Sequence, residues 1–320
     1  MTTRRGILAT VLASGLAAPA LAQGSDFPNR PLRLIVPFPP GGGTDVLARI
    51  MAQKFGEWMG QPVVVENRAG AAGAIGTQLV ARARPDGTTL LFTSSPAIVV
   101  LPAMQPPPPY DPERELTPIA TLARQPILFV VRADAPYADL AALLRAVAGA
   151  GLTYGTPGIA TDPHLAAEVL RQVTNATFTH VPYRGGGPAL TALLAGEVDF
   201  LPALTGVAQP LLQERRLRAL ATTSATRLAD FPDVPTTAEL GLPAVDLVPW
   251  WALFAPAGLE PPVARILAEQ AQRLARDADW LRRLDLLAIE PANLDGPATA
   301  LAVTQQIAGW RQRLVGLALQ

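Results

Sequence analysis

Three times in this chain a strand-like apolar run ends in a glycine- and proline-rich loop that opens directly onto a helix-like segment. Leu32–Phe38 leads into Pro39-Pro40-Gly41-Gly42-Gly43-Thr44-Asp45. Leu152–Tyr154 leads into Gly155-Thr156-Pro157-Gly158-Ile159-Ala160-Thr161-Asp162-Pro163-His164. Phe178–Val181 leads into Pro182-Tyr183-Arg184-Gly185-Gly186-Gly187-Pro188. Strand, loop and helix in that order is the grammar of open α/β sheets, whose ligands sit beyond the carboxyl ends of the strands. Glycines let a ligand approach the backbone without a Cβ in the way. Thr44 or Asp45, and Thr161 or Asp162, are suited to capping the helices that follow, and Pro163 to a first helical turn. Free N–H groups and the positive end of a helix favour an anion. Singly, each loop also reads as a plain tight turn with a cap; together they favour an anion or carboxylate site.

The rest of the chain keeps the same rhythm. Apolar residues at helical spacing (Val46, Leu47, Ile50, Met51, Phe55, Trp58) predict a helix over Asp45–Met59. Val63–Glu66 reads as a strand, Ala74–Ala83 as a helix and Thr88–Thr93 as a strand, a βαβαβ pattern that calls for a parallel sheet. Ile127–Val131 is a further strand. The second half repeats the pattern with helices at Asp139–Ala148, Pro163–Val173, Pro188–Ala195 and Val207–Gln213. Its strands are predicted at Leu152–Tyr154, Phe178–Val181, Val198–Leu201 and Leu217–Thr222. A proline-rich connection then reaches Trp250–Ala255, a late strand, and three helical stretches follow: Pro262–Asp277, Ala278–Leu287 and Pro297–Val315. A chain of 320 residues is long enough for roughly two domains at about 150 residues each.

Arg4 and Arg5 precede an apolar run from Ile7 to Leu21 that ends in Ala20-Leu21-Ala22. A charged start, a short apolar core and small residues at a cleavage point describe a secretory signal peptide, residues 1–22, removed after Ala22. The run falls short of the roughly 20 apolar residues of a membrane span. The two arginines suit either the general or the twin-arginine export route. The expected product is an exported protein, away from cytoplasmic NAD and ATP.

Composition removes other classes. With 26 basic and 26 acidic residues the chain lacks the basic excess of a nucleic-acid-binding surface. Without cysteine there is no disulfide scaffold, thiol nucleophile or cysteine zinc site. His164 and His180 are the only histidines. His164, at a helix start, reads as a cap or ligand contact and His180 as a packed strand residue. The sequence has no Gly-x-Ser-x-Gly elbow, His-Glu-x-x-His motif or P-loop. Gly70, Gly73 and Gly76 stand between a strand and a helix, but at the wrong spacing for a dinucleotide loop. No cofactor and no metal are expected. Trp250-Trp251 reads as interdomain packing.

Several stretches resemble one family. They are IVPFPPGGGTDVLARIMAQKF (Ile35–Phe55), GQPVVVENRAGAAGAIGT (Gly60–Thr77), PDGTTLLF (Pro85–Phe92) and HVPYRGGGPALTALLAGEVD (His180–Asp199). LRALATTSATR (Leu217–Arg227), FPDVPTTAELGLP (Phe231–Pro243) and WWALFAPAG (Trp250–Gly258) follow in order. The sequence is similar, over essentially the whole mature chain, to the tripartite tricarboxylate transporter substrate-binding proteins, the TctC or Bug family. The resemblance implies an α/β, two-lobe periplasmic binding protein of the type II, Venus-flytrap kind with a mixed, mostly parallel sheet in each lobe. Residues 23–123 plus 250–320 would form one lobe and 124–249 the other. It implies a monomer with no chemistry of its own that delivers a small organic acid to the permease subunits of a tripartite tricarboxylate-type transporter.

By position, the resemblance carries ligand contacts over to Phe38, Gly42, Gly43, Thr44 and Asp45 in the first lobe. Ser94 and Ser95 become floor contacts. Gly158, Thr161 and His164 carry over in the second lobe, with Tyr183 and Arg184 in the matching Pro-Tyr-basic-Gly loop and Ala203 beside the cleft. Departures are informative. Asp162 stands where a serine is common, either capping the helix or favouring a solute with an amine. Ala203 and Leu204 replace a polar Asp-Asn pair and Ala74 replaces an asparagine, which implies a more apolar cleft. Two other readings of the chain are a receptor that reports to a sensor kinase and a secreted hydrolase.

Overall fold

The computed structural model describes residues 27–315 and 317; the predicted export segment, residues 1–22, lies outside them. The chain begins with β1 (Leu32–Val36), α1 (Gly43–Met59), β2 (Val63–Asn67), α2 (Ala74–Ala81) and β3 (Thr89–Ser94). α1 forms because Leu47, Ala48, Ile50, Met51 and Phe55 recur on one face and bury there. It stops at Gly60, whose φ of 68° supplies the left-handed turn that ends a helix. A short helix, α3 (Pro112–Glu115), capped by Asp111, precedes β4 (Leu116–Arg124).

The chain then enters the second lobe. There lie β5 (Ile127–Arg132), α4 (Leu140–Ala150), β6 (Leu152–Thr156), α5 (Asp162–Thr174) and β7 (Phe178–Pro182). These are followed by α6 (Gly186–Ala195), β8 (Leu201–Leu204), α7 (Thr205–Gln213) and β9 (Leu217–Thr222). β5 is flanked by β8 and β9, both antiparallel to it. β6 and β7 pair in parallel, and a parallel bridge from Tyr154 to Phe200 joins them to the β8 edge.

The return segment brings β10 (Trp250–Pro256), α8 (Pro261–Leu274), α9 (Ala278–Leu286), β11 (Glu290–Asp295) and α10 (Gly296–Arg313) back to the first lobe. Its six-stranded sheet has the order β11-β4-β10-β3-β1-β2. β1 pairs in parallel with β2 and β3, whereas β10 runs antiparallel to β3 and β4, and β11 antiparallel to β4. The named strands are therefore not mostly parallel: the βαβ units contribute the parallel pairs, whereas β10 returning from the other lobe, β11 at the edge, and β8 and β9 beside β5 all pair antiparallel. Every residue of β10 is buried, with Trp250 packed on one face of the sheet and Trp251 on the other. Trp250 belongs to a core cluster that continues into the second lobe through residues such as Phe129 and Tyr154, and Trp251 to the core on the sheet's other face.

Two crossings connect the lobes, and they run side by side. The Gln125 N–H donates to the Pro249 carbonyl at 2.8 Å. The Gln125 side chain donates to the carbonyls of Leu287 and Ala288, at 3.3 and 3.0 Å. From the second lobe, the Thr205 hydroxyl reaches the Pro126 carbonyl at 2.8 Å. Beyond α10 the chain also leans on α5, where Gln172 Nε2 donates to the Val315 carbonyl at 2.9 Å.

Candidate functional site

In the first lobe β1 lies between β2 and β3, so the chain leaves β1 to one side and returns on the other. The resulting crevice at the carboxyl ends of β1 and β3 is where open α/β sheets bind ligands. The loop after β1 forms one wall. Gly42 caps α1 without a side-chain hydrogen bond, which leaves the N–H groups of the first helical turn without helical partners. Gly41, Gly42 and Gly43 are exposed. Gly41 has a φ of 83°, a conformation that favours glycine. Phe38 is half-buried beside the loop, and its carbonyl accepts from Asn67 Nδ2 at 3.0 Å.

Thr44 and Asp45 hold this loop in place. The Thr44 hydroxyl accepts the indole N–H of Trp251 at 2.9 Å. The Asp45 carboxylate accepts from the Gly41 N–H at 3.0 Å, from Arg49 at 2.9 and 3.0 Å, and from Asn67 at 2.9 Å. The Arg49 guanidinium, helped by the Gly41 and Asn67 donors, lowers the Asp45 pKa to about 2 against the cost of burial. Asp45 thus stays ionised and fully occupied. It is an anchor for the loop, and its charge is neutralised by Arg49. Asn67, Arg49 and Trp251 were invisible to spacing arguments because each reaches the loop from elsewhere on the sheet or one helical turn on.

Ser94 ends β3 opposite Trp251 of β10. Ser95, buried, opens the helical turns that follow, and its hydroxyl oxygen lies 3.5 Å from the Trp250 N–H.

In the second lobe β6 lies between β7 and the β8 edge, which places the loop after β6 at the equivalent crevice. Side chains fold this loop back on itself. The Thr161 hydroxyl donates to the Gly158 carbonyl at 2.8 Å, and Thr156 Oγ1 contacts the same carbonyl at 3.2 Å. The Ala160 N–H donates to His164 Nδ1 at 3.0 Å. Thr161 caps α5 with no side-chain bond to the helix; in its first turn Pro163 has no N–H and the Asp162 N–H serves its own carboxylate, so α5 offers the His164 amide where α1 offers a full turn.

Both histidines belong to the scaffold. His164 is 1% exposed, stacks on His180 at 4.0 Å, and His180 in turn stacks on Tyr154 at 4.9 Å. His180 Nε2 lies 2.6 Å from the Thr156 hydroxyl. Burial, together with the facing His180, lowers the His164 pKa to about 4, with a small opposing effect from Glu168. His164 is therefore neutral, and its Nδ1 accepts the loop's N–H. It shapes the binding loop from behind rather than meeting a solute. Ala203 needs a similar correction: at 3% exposure it packs with Leu128, Val130 and Leu193 in the second lobe's core, because its strand register turns that side chain inward. Tyr183 is half-buried with its hydroxyl 3.5 Å from Glu197, and Arg184 is exposed on the same loop.

The two lobes share a cavity of about 320 Å³. Ser95 of the first lobe and Asp162 of the second line it, with Asp246, Gln306, Trp310 and Arg313. Asp162, the first residue of α5, is bonded by its own N–H and the Ser95 hydroxyl; burial nevertheless raises its pKa to about 7. Among the described residues no cluster of histidine and carboxylate side chains could hold a metal ion, and no helix is long and apolar enough to cross a membrane.

Comparison with known proteins gives a consistent set of likenesses. The profile of a family described as "Tripartite tricarboxylate transporter family receptor" matches residues 47–315. Protein BugT of Bordetella pertussis is 38% identical over 264 residues, spanning 80% of this chain and 79% of that protein. The structure of MatC from Rhodopseudomonas palustris with bound malate superposes with a TM-score of 0.77 at 31% identity, covering 90% of this chain and 99% of that one. An adipate-bound protein from R. palustris superposes with a TM-score of 0.78 at 30% identity, covering 90% and 97%.

Proposed function

This chain belongs to the tripartite tricarboxylate transporter receptor family, and from that premise we propose that it captures a small carboxylate-bearing solute between its lobes and presents it to a tripartite tricarboxylate-type permease. The family is one of periplasmic solute receptors, not enzymes. The observation that carries the proposal is the crevice at the amino end of α1, whose first amides lack helical partners, faced by the equivalent crevice of the second lobe at the amino end of α5. The cavity between Ser95 and Asp162 links the two lobes.

In this reading the elements β1–β4 and β10–α10 move as one lobe and β5–β9 as the other. The solute carboxylate docks first on the amides of Gly43 and Thr44. The second lobe then closes and adds the Gly158–Thr161 loop. Closure follows from contacts that exist only in the closed arrangement, so the solute shifts the population towards it. Each charge-assisted hydrogen bond contributes about 1.5–3 kcal/mol, so a few amides suffice for micromolar capture after association costs. Malate and adipate, bound by the two relatives, set the size class to test first.

A thermal-shift titration with mono- and dicarboxylates tests the proposal. A true solute at a hundred times its Kd adds about 2.7 kcal/mol of stability and raises the Tm in a dose-dependent way. Gly43→Leu is the matched control. A Cβ at Gly43 would sit 3.8 Å from Trp251, an ordinary contact, so the fold tolerates the change while the side chain covers the helix start. The ligand-free Tm should hold and the solute-induced shift should vanish. A full shift in Gly43→Leu would remove the α1 amides from the site.

A further inference from the structure

The shared cavity holds two acids in unequal circumstances. Asp246 is ion-paired to Arg313, whose guanidinium also lies over the Trp310 ring. Asp162 has no ion pair among the described residues, and its donors are neutral: its own N–H and the Ser95 hydroxyl. Ser95 has no second proton to offer. A carboxylate presents about four acceptor positions, so part of this one faces the cavity unsatisfied. Of the other polar neighbours, Gln306 Oε1 takes the Trp250 indole N–H at 3.0 Å and Arg313 is held by Asp246; Gln305 and the amide nitrogen of Gln306 are neutral and bring no positive charge. Val99, Val100 and Leu247 supply apolar wall. An uncompensated carboxylate in such a setting is costly, and the cost is relieved by a partner that brings positive charge and several N–H donors.

We infer that Asp162 is a specificity-determining residue that reads an ammonium group, so that the solute is a carboxylic acid carrying an amine rather than a plain dicarboxylate. The inference rests on the carboxylate-capture reading above and adds the chemistry of the solute's second group. The solute carboxylate sits on the amides of the helix starts, and its ammonium points into the cavity towards the free face of Asp162. A second carboxylate there would meet Asp162 as a like charge, with Arg313 already neutralised by Asp246. Selection thus works by attraction of one class and repulsion of the other.

The test uses the purified mature protein and its Asp162→Asn variant in thermal-shift and calorimetric titrations at pH 7.5. The ligands are succinate, glutarate and adipate; the ω-amino acids 4-aminobutyrate, 5-aminovalerate and 6-aminohexanoate; and the α-amino acids of four to six carbons. The expected result is that the wild type prefers an amino acid over the dicarboxylate of equal length by tenfold or more, and that Asp162→Asn reverses or abolishes the preference. Asparagine keeps the shape of the side chain, so an unchanged ligand-free melting profile confirms the variant's fold. Binding of dicarboxylates by the wild type with no preference for amino acids overturns this inference and leaves carboxylate capture standing. An amine preference that survives in Asp162→Asn removes Asp162 from the role. Failure of every compound to bind either protein overturns both readings.

Discussion

Acid should unlock the second-lobe binding loop through a single ring. His164 is buried, and its neutral Nδ1 accepts the Ala160 N–H at 3.0 Å. Its pKa falls from an ordinary 6.5 to about 4 because burial and the stacked His180 both disfavour the cation. A base whose folded pKa lies below its unfolded value binds its proton preferentially in the unfolded chain. Its stabilising contribution is therefore whole above pH 6.5 and is lost as the pH falls towards 4. At about 1.4 kcal/mol per pKa unit, the gap amounts to about 3 kcal/mol, a large share of a typical domain's stability. The perturbation is His164→Gln, which keeps an acceptor near the Ala160 N–H and cannot titrate. Urea midpoints at pH 7.5, 6.5, 5.5 and 4.5 provide the assay. The variant should be less stable at pH 7.5 by about 1 kcal/mol, the scale of an impaired hydrogen bond. The gap should close, then invert, as the pH drops. Solute affinity should fall over the same window in the wild type and less in the variant. Parallel pH profiles for the two proteins would refute the assignment.

Two further outcomes follow from the geometry. Gly206, at the start of α7, lies so close to the first lobe that a Cβ would stand 2.3 Å from the Leu287 carbonyl and 2.9 Å from Gln125 Nε2; Gly206→Ala should wedge the lobes, giving weaker solute binding and a larger radius of gyration in the liganded state by small-angle scattering, and unchanged values on both counts would discount the contact. Asn67→Ala removes the donor shared by the Phe38 carbonyl and Asp45; a loss of about 1–3 kcal/mol in a denaturation midpoint, with a larger loss of affinity than a distant surface change causes, is the expected pair of results.

The parts of this fold that the sequence displays are those with local causes. β1 and α1 announce themselves by a buried run followed by apolar residues at helical spacing. Others are written in no local pattern. β4 contains Pro118 and polar threonines, and its burial comes from β10 and α10 packing on it. β11 (Glu290–Asp295) is a mostly exposed edge with Pro291 inside and a break in its register, so it has neither alternation nor an apolar run. β8 begins at Leu201, three residues beyond the predicted start at Val198, because its partner β5 fixes where pairing begins. The site divides the same way. Glycine loops mark the crevices because their backbone needs are local. Thr156 fastens its loop from the end of the same strand, but Asn67, Trp251 and His180 come from other strands, and only the assembled sheets bring them near.

The place of β10 bears on how the polypeptide reaches this state. It is threaded between β3 and β4, yet it is synthesised only after the whole of β5 through β9. Until it arrives, β3 and β4 each expose a bare edge, and the first sheet has no middle. The inner segment, contiguous in sequence, has all its own strands by then and is free to fold early. Assembly should therefore run from the inside of the sequence outward, and an export factor or chaperone would meet its most aggregation-prone surface on the flanks, where long-range pairing comes last.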